Sequence, residues 1–135
     1  MILHIQKLSH FLWKMGFPFL PRLLYALNRV VFATVIPPSV HVGKNDLLGY
    51  SGLGIAIHSL VVMGNNVKIS QHVTIGGRSG LIEVPVIEDG VEVGAVACIL
   101  GPVRLGAGAV VGANAVVLCD VPNGKVAVGV PARIL

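Results

Sequence analysis

The sequence predicts an all-β solenoid of short parallel strands over residues 35–135, preceded by a short α-helical segment over residues 1–34. Three regularities carry this expectation. Counting by sixes from Ile57, the positions Met63, Ile69, Ile75, Leu81, Ile87, Val93, Ile99, Leu105, Val111 and Val117 are all aliphatic, a period that neither a helix nor an alternating strand produces. Four residues beyond these positions the chain is small or β-branched nearly throughout, as at Val61, Val67, Val73, Ala109, Ala115 and Val121. Gly follows the aliphatic at positions 64, 76, 94, 106 and 112. Each hexad thus makes a short strand with one inward aliphatic and a tight corner. Three hexads close a triangular coil of 18 residues, and stacked coils pair strands about 4.8 Å apart.

The first 34 residues follow a different rule. Ile5, Leu8, Leu12 and Met15 recur at helical spacing, with Gly16 and Pro18 as a stop. Pro21 suits the first turn of a second helix, which carries Leu23, Leu24, Leu27, Val30 and Val31 on one face and Arg22 and Arg29 on another. "IPPS" (Ile36 to Ser39) ends any helix and marks the boundary. Two arrangements suit the second helix. Its aliphatic side can dock on an end of the solenoid, or it can lie on a membrane surface as a peripheral contact; docking is the expected one.

Composition removes several classes. A chain of 135 residues, 54% hydrophobic and 12% charged, is a single domain and not a disordered one. The net charge of +4 is not clustered as in a nucleic-acid arm, so no nucleic-acid partner is expected; it suits an anionic small ligand or a membrane surface. Cys98 and Cys119 have neither metal-ligand spacing nor a disulfide framework, and read as buried inert thiols in a reducing, cytoplasmic compartment. The longest apolar stretch, Phe19 to Ile36, is broken by Arg22, Asn28 and Arg29 and makes a poor membrane span. The N-terminus lacks the pattern of a signal peptide.

The 18-residue count then places the histidines. His58 follows inward Ile57, and Gly76, Gly94 and Gly112 stand at successive intervals of 18, with Gly77, Ala95 and Ala113 beside them. These residues are expected to form one column on one outward face, a smooth groove in which a linear ligand meets backbone amides. His58 at the head of that groove is the candidate general base, because a neutral imidazole can take a proton from a hydroxyl. His72 falls at a corner and is the second candidate. His4, His10 and His41 carry no expected role. No metal site is expected, since His58 and His72 occupy different hexad positions and no third histidine follows in the repeats.

The hexads, with "VTIGG" (Val73 to Gly77), the run from Val91 to Leu118 that contains "GANAVVL", and the terminal "VGVPARIL", resemble the hexapeptide-repeat acyltransferases, in particular their serine acetyltransferase branch. The resemblance spans residues 35–135. It implies a left-handed parallel β-helix acyltransferase domain, a homotrimer, and acetyl-CoA as co-substrate without a metal. The pantetheine arm is then expected in the groove between subunits, against Gly76, Gly77, Gly94, Ala95, Gly112 and Ala113. Arg133, and with it Arg78 or Lys125, is placed to meet phosphates. His58 with the amides of Gly76 and Gly77 forms the expected catalytic set, and Tyr50, Ser51, Gln71, His72 and Glu83 line the acceptor side.

Two departures from that branch matter. Tyr50 or Ser51 stands nearest to where those enzymes carry an Asp-His pair, and the loop "RSGLIEVPV" (Arg78 to Val86) lacks their second histidine. The "GLGIAIH" arrangement (Gly52 to His58) looks more like short acetyltransferases of cell-surface polysaccharide synthesis. The expected activity is therefore O-acetyl transfer from acetyl-CoA to a small or sugar acceptor. Serine is the alternative acceptor, and a non-catalytic scaffold is the alternative of another class.

Overall fold

The computed structural model describes residues 1–135. Two helices, α1 (Ile2–Lys14) and α2 (Leu20–Phe32), lead into strands of two or three residues each. Gly16, with φ +86°, turns the chain after α1; Pro21 lies in the first turn of α2, and Ala33 ends it in a left-handed conformation.

The strands form three sheets. The first holds Leu47–Leu48, Lys68–Ile69, Glu92–Val93, Val110–Val111, Val126–Val128 and Arg133–Ile134. The second holds Ala56–Ile57, Thr74–Gly76, Cys98–Leu100 and Val116–Val117, and the third holds Val62–Met63, Val86–Ile87 and Arg104–Leu105. The chain visits the three sheets in turn and returns to the first. Pairing is parallel everywhere except between Val126–Val128 and Arg133–Ile134.

The core lies between the three sheets. Ten of the aliphatics counted by sixes, Ile57 through Val117 without Leu81, are at most 5% exposed. Each buried Ile, Leu or Val side chain contributes roughly 1.5–3 kcal/mol, so the hexad pattern is also the main source of stability.

Leu81 is the exception, at 47% exposed. Residues 77–85 leave the coil instead of forming a strand, and buried Pro85 takes the inward slot below Val103 and above Val61. The register consequently jumps. Ile57 pairs with Ile75, 18 residues on, but Ile75 pairs with Ile99, 24 residues on. The expected uniform 18-residue repeat holds only on either side of this excursion.

The helical segment also differs from expectation. Its aliphatic face does not dock: Leu23, Val30 and Val31 of α2 and Leu8 and Met15 of α1 are exposed. Docking uses polar anchors instead. Gln6 Nε2 donates to the carbonyls of Pro37 and Val40 at 3.1 and 3.0 Å, and His10 Nδ1–H donates to Pro38 O at 2.8 Å. The physical reason lies in "IPPS". Two prolines cannot donate to a sheet, so their carbonyls need partners from α1. No helix is long and apolar enough to cross a membrane. Cys98 is half-buried, and Cys119 is exposed rather than buried because it follows Leu118 in an outward turn.

Successive circuits are also tied by one buried carboxylate. Asp46 accepts the amide of Gly43 at 2.7 Å through Oδ2 and that of Val67 at 2.8 Å through Oδ1. Burial pushes its carboxyl above the usual range, while the two amides pull it back down. Asp46→Asn is expected to destabilise the fold by roughly 1–3 kcal/mol, because the new amide nitrogen would face one of these donors. A urea midpoint unchanged from wild type would show that Asp46 does not hold the circuits together.

Candidate functional site

The strands are too short to carry a site along their length, so the outward chemistry gathers at the corners. At the corner from the first sheet to the second, backbone bonds stack the turns directly. His72 N–H donates to Leu53 O at 2.9 Å, Val96 N–H to Gln71 O at 3.1 Å, and Asn114 N–H to Ala95 O at 2.9 Å. Leu53, Gln71 and Ala95 therefore follow one another up the corner, and Ala113 continues the series. His72, Val96 and Asn114 share the next position, with φ of +58°, +62° and +60°.

The column over His58 is consequently not the expected one. By register, His58 is followed by Gly76 and then Leu100, at the corner from the second sheet to the third. Gly94 and Gly112 stand above Ser70 on the other corner, beside Ala95 and Ala113. The six-residue excursion between Gly77 and Pro85 shifts every later glycine by one sheet. The signal for it was present in the sequence: Ser79 and Pro85 occupy positions that elsewhere hold Val or Ala.

The glycines also differ in why they are glycine. A Cβ at Gly94 would meet Ala113 N at 2.6 Å and Gly112 C at 2.9 Å, and one at Gly112 would meet Val128 Cγ1 at 2.9 Å. Tight stacking accounts for both. At Gly77 no atom lies within 4 Å of such a Cβ, at Gly76 only Thr74 Cγ2 at 4.0 Å, and neither residue has positive φ. Nothing within the chain demands glycine there, and a bare backbone at that spot leaves room for a ligand.

The two histidines present different faces. His58 is exposed, and its Nδ1 accepts the Leu60 amide at 3.1 Å. A neutral ring held this way carries its proton on Nε2, which makes Nε2 a donor and not the expected base. His72 is exposed, and neither of its ring nitrogens has a hydrogen-bond partner within the chain. Its ring lies over Gly54, where a Cβ would run into Nδ1.

Tyr50 and Ser51 occupy the same corner as His72, one circuit below. Both are exposed and left-handed, at φ +49° and +56°. Such conformations cost of order 1–3 kcal/mol each and persist only where the surroundings impose them. Here Thr34 Oγ1 donates to Gly52 O at 2.8 Å, and Ile2 at the start of α1 abuts Gly52.

The remaining candidates divide between the corners. Arg133 pairs with Val128, so it caps the Ser70–Gly94–Gly112 column at its far end. The stem of Arg78 covers Gly101, and Glu83 is exposed on the excursion, both on the His58 side. Lys125 lies at the third corner, away from either set. No three His, Cys, Asp or Glu side chains converge as metal ligands.

Glycine-to-alanine changes separate the two kinds of glycine. Gly94→Ala should lower stability by roughly 1–3 kcal/mol through overpacking. Gly76→Ala and Gly77→Ala should stay within about 0.5 kcal/mol of wild type. Denaturant titration of the three variants reads this directly, and equal losses at all three would refute the division.

No family model matches the chain. It is 39% identical to the serine acetyltransferase of Escherichia coli (strain K12) over 135 positions, covering 98% of this chain and 49% of that protein. It is 42% identical to a probable serine acetyltransferase of Oryza sativa subsp. japonica, covering 96% of this chain and 43% of that protein. Among solved structures, soybean serine acetyltransferase complexed with serine superposes with a TM-score of 0.93 at 40% identity, covering 99% of this chain and 56% of that one. A serine acetyltransferase in complex with CoA gives a TM-score of 0.92 at 35% identity, covering 99% and 55%. The chain thus spans about half the length of the relatives it matches.

Proposed function

Since this chain belongs over nearly its whole length to the hexapeptide-repeat acyltransferase family, on its serine acetyltransferase-like branch, we propose that it is an acetyl-CoA-dependent O-acetyltransferase acting on the hydroxyl of serine. The observation that carries this reading is the full-length similarity to structures solved with serine and with CoA. The sugar acceptor expected from the "GLGIAIH" arrangement has no counterpart among these relatives, and serine takes its place. In this reading residues 35–135 are a left-handed β-helix, residues 1–34 are its helical appendage, and the enzyme is cytoplasmic.

We place the site between neighbouring copies of a homotrimer. Within one chain His58, Gly76 and Gly77 lie on one corner, while Gly94, Ala95, Gly112, Ala113 and Arg133 lie on or beside another. Apposing the first corner of one copy to the second corner of its neighbour joins them into a single cleft. The pantetheine arm runs along the Ala95–Ala113 column, with Arg133 toward the phosphates. The acceptor lies among Tyr50, Ser51, Gln71 and His72, with Glu83 reaching in from the facing copy.

His72, with unpartnered ring nitrogens, takes the hydroxyl proton in this arrangement. The alkoxide oxygen attacks the thioester carbonyl and forms the new C–O bond. His58 Nε2–H and the amides of Gly76 and Gly77 donate to the developing oxyanion. Collapse breaks the C–S bond, and the departing thiolate recovers the proton from His72. Holding both substrates in one cleft supplies much of the acceleration.

A thiol-release assay with acetyl-CoA should show serine-dependent turnover and none with sugars or sugar nucleotides. Turnover with a sugar alone would overturn the acceptor.

His72→Ala and His58→Ala should each lower turnover roughly a hundredfold. Mixing the two variants under subunit exchange should restore part of the activity, because one mixed interface then carries both histidines. Absence of any recovery in verified mixed oligomers would place the site within one chain.

A further inference from the structure

The third corner carries a cleft that this reaction does not use. Lys7, His10, Phe11 and Lys14, spaced along one face of α1, stand opposite His41, Val42, Gly43 and Lys44 of the first circuit, and Asn65 of the next closes the end. The cleft measures about 450 Å³, within the range of small-molecule sites.

Its charge is one-sided. Three lysines line it and no carboxylate does, in a chain whose net charge is +4. Neither ion pair of the structure involves them, since these join Lys68 to Glu92 and Arg104 to Glu88. Asp46 lies close by, but its two oxygens are occupied by the amides of Gly43 and Val67. The Asn65 carbonyl oxygen accepts the Lys44 amide, which leaves its NH₂ as a donor. His10 gives Nδ1–H to Pro38 O and sits 5.2 Å from the His41 ring, centroid to centroid. Phe11 is 58% exposed on the same helix face and offers an apolar surface beside the donors.

We propose that this cleft binds a phosphorylated small molecule, with the phosphate among Lys7, Lys14 and Lys44 and the organic part against Phe11. Converging ammonium groups without a counter-charge favour a multiply charged anion over a neutral or zwitterionic one. The site is separate from the proposed thioester cleft, because Gly43, Lys44 and Asn65 belong to the turns between the third sheet and the first.

Calorimetric titration with inorganic pyrophosphate and with uridine diphosphate, in the presence of saturating coenzyme A, tests this on the intact oligomer. Both probes should bind. Lys7→Gln/Lys44→Gln should weaken both about tenfold or more, while Lys68→Gln changes neither. Phe11→Ala should weaken uridine diphosphate but not pyrophosphate. Circular dichroism and oligomer size of each variant exclude misfolding as the cause. Lack of binding by either probe, or binding indifferent to the lysine pair, would overturn the proposal. Flotation with phosphatidic acid vesicles that depends on the same lysines, without soluble binding, would overturn the soluble ligand and assign the phosphate to a lipid headgroup.

Discussion

The backbone register between parallel circuits governs everything else in this molecule. Each inward aliphatic must sit over the one below it, as Ile57, Ile75, Ile99 and Val117 do, because the core is only as wide as three facing side chains. A slip of one residue would turn every aliphatic outward. Extra residues can therefore enter only at a corner, and only if the chain rejoins in phase. The excursion at 77–85 meets both conditions: it adds one hexad, and Pro85 restores the inward slot before Val86.

That constraint decides where chemistry can reside. Outward strand positions are few, so the groups that can meet a ligand lie on turns held by backbone bonds to the turn below. The corner of His72, Ala95 and Ala113 is rigid because each left-handed residue donates its amide to the preceding circuit. Glycine has two meanings on this surface. Gly94 is needed for stacking, whereas Gly76 and Gly77 keep space clear outside the chain. The proposed intersubunit cleft uses both corners, which explains why neither is complete alone.

The helical segment obeys a separate rule. Two consecutive prolines leave carbonyls that no neighbouring strand can pair, and α1 supplies Gln6 and His10 to them. Fixing α1 by these bonds turns Lys7 and Lys14 toward Lys44 and holds Ile2 against Gly52. The same docking thus builds the cationic cleft on one side and supports the strained Tyr50–Ser51 turn on the other.

Period and composition alone determined the three-sheet coil, the inward residues, the two helices and the boundary at Ile36 to Ser39. Burial of one aliphatic per hexad is a local, repeated requirement, and such requirements show directly in a sequence. The column over His58, the docking face of the helices and the tautomer of His58 were decided only by the tertiary structure. Whether Leu81 continues the coil depends on whether Pro85 fills a slot below Val103, and that contact joins residues 18 apart. Whether His58 can accept a proton depends on one amide, that of Leu60, whose direction the turn sets. Periodicity records which side chains are buried; it carries no information about which circuit each outward residue stands on once a loop has intervened.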